Sequence, residues 1–410
     1  MDTPTGYLER FYPSLVANAA DYCVRVLRAL YGLKQSGYLW HEALTKKLLE
    51  IGFVSTLDAC TFYLREANGS ICLIAFHVDD VLAVMSPSMQ DRVVTALTSL
   101  FRCSSPVIYP TEFLHWNVEY QHDADGVQSI KLSARSFIER LESSLTRTDA
   151  DFVSYDVKLP LAPQLSQGTG TLLDPAGVKK YQRLVGSLNY ASTSVRADIS
   201  FSASLLGSFA AAPTEVHLQS ALRVCRYLFS NKDLGLTYVR REPLVAPHGA
   251  VCHLLGYSDS DWAGNVDTRK SQSGVVVEVI GGGVVDYHSR AQSMVAMSTE
   301  EAELNALISA CNSVRYFRDL LSMIFPDAFG EQQATTIRVD NTAAVAVTSS
   351  LTPARNRHVA MRVSLLRDLI SKSVVCVEHV PTKYQAADIL TKTFRSHQQL
   401  CDALEMLHMK

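Results

Sequence analysis

The sequence has no CxxC pair and no cysteine–histidine cluster at zinc spacing, although nine cysteines are scattered along its 410 residues. That pattern excludes a zinc-finger or disulfide framework and reads as buried thiols in a reducing compartment. Charge of one sign is also scarce: 38 Lys and Arg against 41 Asp and Glu leave a net −3. Such a balance does not announce a nucleic-acid binder, but a local basic face is enough to make one. No secretory pattern follows Met1, and no apolar run approaches the roughly 20 residues a spanning helix needs. The expectation is a soluble, intracellular protein with no membrane partner. No internal repeat is evident, and at 47% hydrophobic residues the chain can build two or three domains, each with its own core.

What is present falls into three stretches. The first opens on loop-like residues up to about Leu30. Helical spacing then runs from Tyr38 to Ile51, and strand-like runs Thr61–Leu64 and Ile71–Phe76 flank the turn Ala67-Asn68-Gly69. His77-Val78-Asp79-Asp80 follows, and then Val81–Met85, so two apolar runs are joined by a polar tip bearing adjacent carboxylates. Asp91–Phe101 is helical by pattern, Phe113–Tyr120 and Gln128–Leu132 read as a hairpin, and Ser136–Leu145 as a helix. The second stretch begins with a Pro-, Gly-, Ser- and Thr-rich linker from about Asp151 to Asp174. Helices are predicted over Lys179–Leu206 and Glu215–Phe229, the latter capped by Thr214, before another linker at Arg240–Ala250.

The third stretch alternates. Strands are predicted over Gly256–Trp262, Gly274–Ile280 and Val284–Ser289, then a long helix from Thr299 to about Ile324, with Ser298 and Glu301 at capping-box spacing. Thr336–Val339 reads as strand, Thr342–Thr348 and Arg362–Ile370 as helices, Val374–Val380 as strand and Ala386–Phe394 as helix. Hairpin-linked strands followed by alternating helix and strand make a mixed sheet with helices on its faces. Within it, Asp259 lies on the first strand, Glu303 one turn into the long helix, Asp340 at a strand end and Asp388 at a helix start. Elements of such a sheet can bring all four to one rim, where oxygen-only ligands favour magnesium or manganese over zinc and suit chemistry at phosphate. On spacing alone, the same acids can also be solvated turn and cap residues.

The wording of these segments adds to their spacing. Tyr257-Ser258-Asp259-Ser260-Asp261-Trp262-Ala263-Gly264, Ser271-Gln272-Ser273-Gly274, Ser298-Thr299-Glu300-Glu301-Ala302-Glu303-Leu304, Val339-Asp340-Asn341, Arg357-His358 and Gln385-Ala386-Ala387-Asp388-Ile389-Leu390-Thr391-Lys392 occur in that order. Together they resemble the ribonuclease H domain of copia-type retrotransposon polyproteins, over roughly residues 250–395. The resemblance implies that Asp259, Glu303, Asp340 and Asp388 are catalytic and hold two Mg2+ or Mn2+ ions, about 4 Å apart, on the RNA strand of an RNA–DNA hybrid. It favours Glu303 over Glu301, which belongs to the helix cap, and Asp259 over Asp261, which shares its strand face further along. His358 becomes a candidate phosphate contact, although Val359-Ala360 stands where the family usually reads Ile-Asp.

Earlier motifs resemble the reverse transcriptase of the same elements: Tyr31-Gly32-Leu33-Lys34-Gln35-Ser36, Trp40, and Phe76-His77-Val78-Asp79-Asp80. Asp79 and Asp80 are then a polymerase pair, with Lys34 and Gln35 near nucleic acid. His77 stands where a tyrosine is usual, and His115 where the family has glycine. Met1-Asp2-Thr3-Pro4-Thr5-Gly6-Tyr7 resembles the loop just after the family's first catalytic aspartate, so fingers and that acid are expected upstream. Tyr181–Tyr190, Arg196-Ala197-Asp198-Ile199 and Arg223–Leu228 resemble a helical thumb or connection, in which Arg223 and Arg226 are candidate backbone contacts.

The expected architecture is thus α/β (α+β): an incomplete polymerase palm over 1–150, a linker and helical connection over 151–245, a ribonuclease H-like mixed sheet flanked by helices over 246–398, and a tail over 399–410. The expected activity is hybrid-specific ribonuclease, with polymerisation not independent. The rival reading is a non-catalytic relic or co-opted nucleic-acid binder. Expected partners are an RNA–DNA hybrid and upstream polyprotein parts, and the expected setting is a cytoplasmic virus-like particle or the nucleus.

Overall fold

A computed structural model describes residues 32–101, 103–124, 126–148, 155–161, 165–240, 254–326, 334–349 and 357–410, with short pieces outside these spans. The segment Met1–Tyr7 lies outside the described residues. Two compact units divide the chain between Pro106 and Val107. The sequence reading put its first boundary near residue 150, and its linkers and domain edges do not coincide with this division.

The first unit contains helix α1 (Ser36–Glu50), strands β1 (Val54–Ser55), β2 (Thr61–Arg65), β3 (Ile71–His77) and β4 (Asp80–Met85), and helix α2 (Gln90–Leu100). The strands pair in sequence order into an antiparallel sheet. Alternation puts Cys72, Ile74 and Phe76 on one face, where they close a core with Leu44, Leu48, Phe53, Met89 and Val93 from the flanking helices and loops.

The second unit opens with β5 (Glu112–Phe113), β6 (Trp116–Asp123) and β7 (Gly126–Ser133), joined later by β8 (Gly235–Val239) in an antiparallel sheet ordered β5-β6-β7-β8. The predicted strand over Phe113–Tyr120 is broken because Leu114 and His115 turn the chain at φ 50° and 67°. Helices α3 (Arg135–Thr148), α4 (Pro175–Ser194), α5 (Ser200–Gly207) and α6 (Glu215–Ser230) pack beside it. The single helix predicted over Lys179–Leu206 is really α4 and α5, parted at Arg196. That guanidinium is fully buried against Asp198, with Nη2 2.6 Å from Oδ2, and its backbone leaves the helical region. The expected linker is strapped to the interior by Phe152, Val157 and Leu161, all buried.

After the short hairpin β9 (Val245–Ala246) and β10 (Gly249–Ala250) comes the sheet that carries the acids. Its strands are β11 (Leu254–Asp261), β12 (Gln272–Val279), β13 (Gly283–Ala291), β14 (Thr335–Val339) and β15 (Val375–His379). They are ordered β13-β12-β11-β14-β15; the first three pair antiparallel, and β14 and β15 run parallel to β11. This is the mixed sheet expected from the alternation. Helix α7 (Thr299–Ile324) lays Leu304, Leu307, Cys311 and Val314 against Val275, Val277, Ile337 and Val339. Helices α8 (Thr342–Ser349) and α9 (Arg357–Ser371) follow β14, and α9 adds Val363, Leu366 and Leu369 to that core. The opposite face presents Leu255, Tyr257 and Val276 to the core built by α4, α5 and α6. Burial on both faces accounts for the apolar run of Val275-Val276-Val277.

Two further expectations are corrected. Ala386–Phe394 is not a helix but a 3₁₀ turn over Ala386–Leu390. The expected tail instead forms α10 (His397–Met406), with Leu400, Ala403 and Leu407 buried and Met409 bridged to Leu236. Cys72, Cys225 and Cys311 are buried as expected of thiols, but Cys60 and Cys103 are exposed. Among the described residues, no helix is long and apolar enough to cross a membrane.

Candidate metal centre and nucleic-acid contacts

Parallel pairing sets the first part of the site. Tyr257 of β11 is in register with Arg338 of β14, so the residue two beyond each, Asp259 and Asp340, arrives at the same rim of the sheet. Glu303 reaches that rim from α7. Ser298 caps the helix by accepting the Glu301 amide at 3.1 Å, and the Glu301 carboxylate accepts the Met297 amide at 2.9 Å and Arg362 Nη1 at 3.0 Å. Glu301 is thereby committed to the cap, while Glu303 turns inward, 4% exposed, with Oε2 left without a hydrogen-bond partner.

One carboxylate oxygen from each of Asp259, Glu303 and Asp340 lies within 4.8 Å of the other two. Asp388, on the 3₁₀ turn, stands beside this trio rather than in it, and its Oδ1 is 2.7 Å from Lys392 Nζ. Gln385 ties that turn to β11 by donating to the Ser258 carbonyl at 3.0 Å. Gly274 faces Asp259 across the β11–β12 pair, and a Cβ there would meet the Ala387 carbonyl and the Thr391 methyl at 2.8 Å, so only glycine lets the turn press so close. Thr391 donates its hydroxyl to Asp259.

The buried acids resist ionisation. Loss of water pushes Glu303 up to about 9, helped by the charges of Asp259 and Asp340. Asp388 rises to about 7 by burial and then by Asp259. Burial also raises Asp259, against the pull of Lys392 and Thr391. Burial draws the Lys392 ammonium down, but Asp259, Asp388 and Asp340 together outweigh it and raise it overall. Asp261, pushed up to about 6 by burial, accepts the Gln272 amide across the strand pair. An all-oxygen group that is costly to ionise without a cation, with a buried oxygen still unpartnered, fits a hard divalent ion.

Three side chains that sequence reasoning gave no role support the site. Gln292 donates to Ser273 Oγ at 2.9 Å and to the Ala302 carbonyl at 2.9 Å, and accepts from Asn305 Nδ2 at 2.8 Å, so it pins the first turns of α7 to the strands. A lone glutamine gives no signal in the sequence. Thr391 and Lys392 sit three and four residues after Asp388, and the (i, i+4) Asp–Lys spacing was a signal that could have been read.

The other candidates are dispersed. Asp79 and Asp80 are exposed at the tip between β3 and β4, which Trp40 holds by donating Nε1 to the Val78 carbonyl at 2.5 Å. Among the described residues, no third acidic, histidine or cysteine ligand groups with them. Lys34 and Gln35 are exposed just before α1. Arg223 is half-buried. Arg226 does not follow a surface: it is 8% exposed, donates Nε to the Val153 carbonyl at 2.8 Å, and lies over the rings of Phe152 and Tyr155 at 5.0 and 4.7 Å. A guanidinium so enclosed is a packing group, which corrects its assignment as a phosphate contact. His358 lies in the first turn of α9, and its side chain is outside what the structure describes.

Comparison with known proteins gives concordant relatives. Residues 7–158 match the family described as reverse transcriptase (RNA-dependent DNA polymerase). A retrovirus-related Pol polyprotein from transposon RE1 of Arabidopsis thaliana is 29% identical over 399 residues, 96% of this chain and 25% of that protein. The Pol polyprotein from transposon TNT 1-94 of Nicotiana tabacum is 24% identical over 409 residues, 98% of this chain and 29% of that one. The chain thus spans about a quarter of the length of these curated relatives. Among solved structures, LC11-RNase H1 isolated from compost aligns at 18% identity and TM-score 0.28, covering 38% of this chain and 99% of that one.

Proposed function

The chain belongs to the Pol polyprotein family of copia-type retrotransposons, and we propose that its residues 246–398 act as a metal-dependent ribonuclease on the RNA strand of RNA–DNA hybrids. The observation that carries this reading is the gathering of Asp259, Glu303 and Asp340 within 4.8 Å, two of them buried, with Asp388 alongside. Asp259, Glu303, Asp340 and Asp388 are the residues that would hold the ions. Magnesium or manganese, when bound, supplies positive charge at a scissile phosphate, which protein carboxylates alone cannot. Glu303 holds a proton near neutral pH while the cluster lacks a cation and yields it as the site charges. Gln292 and the α7 cap orient Glu303, and Gln385 orients Asp388. Discrimination of hybrid from DNA duplex is assigned to 2′-hydroxyl contacts across the minor groove. Lys34, Gln35, Arg223 and His358 remain candidate backbone contacts. Asp79 and Asp80, an exposed pair at the tip between β3 and β4, are the remnant of a polymerase site in this reading.

The test is incubation of the purified chain with a labelled RNA–DNA hybrid and magnesium or manganese, beside the Asp340→Asn variant. The expected result is scission of RNA only, lost on substitution. A folded protein that cuts nothing with either ion would overturn the reading in favour of a non-catalytic binder.

A further inference from the structure

Lys392 places a positive charge among the acids. Its Nζ lies 2.7 Å from Asp388 Oδ1, while its side chain is 43% exposed and that of Asp388 only 13%. The preceding residue, Thr391, is held by Asp259 through its hydroxyl, so a single dipeptide touches two of the four acids. The nearby arginine of α9, Arg362, is paired to Glu301 of the cap at 3.0 Å instead. Carboxylates as buried as Asp259 and Glu303, 5% and 4% exposed, need a counter-charge or a proton to stay folded together. An ammonium on a flexible four-carbon stem whose outer part already meets water can supply that charge and leave without disturbing the backbone.

We propose that Lys392 is a built-in counter-cation: it neutralises the carboxylate cluster until a divalent ion displaces it, and so sets the ion concentration at which the site fills. The inference rests on the metal-holding reading of the cluster given above. A divalent ion held by Asp388 would compete with Lys392 for its carboxylate, through Oδ1 directly or through Oδ2 beside it, and its two charges would repel the ammonium. Lys392, 43% exposed, would then swing toward solvent. Thr391, whose backbone and hydroxyl are fixed by the turn and by Asp259, stays in place. Occupation by lysine and occupation by metal are therefore alternatives.

The full chain, Lys392→Met and Lys392→Arg are compared in two measurements: Mn2+ titration by calorimetry, and thermal melting with EDTA or with saturating Mn2+. Methionine keeps the stem and removes the charge. Lys392→Met is expected to bind Mn2+ at least about tenfold more tightly, a modest share of the interaction of two charges a few ångströms apart. It is also expected to melt below the natural chain in EDTA, with the gap closing in Mn2+. Lys392→Arg, which keeps a positive charge, is expected to stay near the natural chain in both. If Lys392→Met binds Mn2+ equally or more weakly while the natural chain binds, the counter-cation role is overturned and the metal site stands. The role also fails if Lys392→Arg behaves as Lys392→Met does, since charge is then not the cause. If neither the natural chain nor Lys392→Met binds Mn2+, and Asp259→Asn is indistinguishable from both, the cluster is no cation site and both readings fall. Should Lys392→Met fold only in Mn2+, the EDTA arm is met and affinity is read on Lys392→Gln.

Discussion

Glu303 concentrates the electrostatic problem of this site in one side chain. Its carboxyl is pushed from an ordinary 4.5 up to about 9 by burial, then by Asp259 and Asp340. Between those values the folded, metal-free chain holds a proton that the unfolded chain has released. Stability is therefore full below about pH 4.5 and falls as pH rises toward 9, because raising the pH favours unfolding wherever the folded state binds more protons than the unfolded one. Asp388, raised from 3.8 to about 7, acts in the same direction over a lower window. In EDTA the melting temperature is expected to fall between pH 5 and pH 8, and Glu303→Gln, which cannot ionise, should flatten that slope. A slope as steep in the variant would show that the proton is held elsewhere. His115 is a second residue-scale case. It holds φ 67° at an exposed turn, a conformation that costs an L-residue about 1–2 kcal/mol relative to glycine. Glycine gives part of this back through its freer unfolded chain. His115→Gly is thus expected to stabilise the chain by about 0.5–1 kcal/mol, read as a higher denaturant midpoint at unchanged slope.

The elements that the sequence discloses are those whose pattern is local. β3, β4 and the acidic tip between them follow from two apolar runs around His77-Val78-Asp79-Asp80, and α7 follows from its Ser298 cap and its apolar stripe. The convergence of Asp259, Glu303 and Asp340 at one rim follows less from spacing, which also allowed solvated turn and cap acids, than from the wording of the segments that carry them. The rest depends on contacts across the chain. Nothing near Arg196 signals that its guanidinium is buried with Asp198 and breaks the helix there. The turn at Ala386–Leu390 reads as helix until Gly274, more than a hundred residues earlier, is seen beneath it. Arg226 reads as a backbone contact because it lies one helical turn from Arg223 in a thumb-like segment, yet it caps aromatic rings from the supposed linker. The contact at Gly274 gives an element-scale prediction. Gly274→Ala puts a methyl 2.8 Å from the Ala387 carbonyl and the Thr391 methyl, so the turn carrying Asp388, Thr391 and Lys392 must lift. Overpacking of this kind costs about 1–3 kcal/mol. Mn2+ affinity should drop along with stability, because the displaced turn carries Asp388. A variant that loses stability but binds Mn2+ as before would mean that the turn does not contribute to the site.

At the scale of the molecule, the functional reading by domains and the physical division of the chain differ. The stretch proposed as ribonuclease begins near residue 246, yet within it one face of its sheet is covered only in part, by Ala386, Ala387, Ile389 and Leu390 of the 3₁₀ turn. Leu255, Tyr257, Val276 and Val284 are buried against a core shared with Tyr181, Leu188, Leu206, Leu222 and Tyr227 of α4, α5 and α6. Exposing four such side chains costs about 1.5–3 kcal/mol each, so the sum rivals the whole stability of an ordinary domain, about 5–15 kcal/mol. The thumb-like helices are thus part of what keeps the carboxylates assembled. Residues 246–410 expressed alone are expected to lack a cooperative thermal transition and to bind Mn2+ poorly. Residues 107–410, which keep both faces of the sheet covered, should melt cooperatively and bind Mn2+ as the full chain does. Calorimetry on the two pieces decides the matter. A sharp transition in 246–410 would mean that the sheet is stable without its second face, and that α4, α5 and α6 serve the nucleic acid rather than the fold.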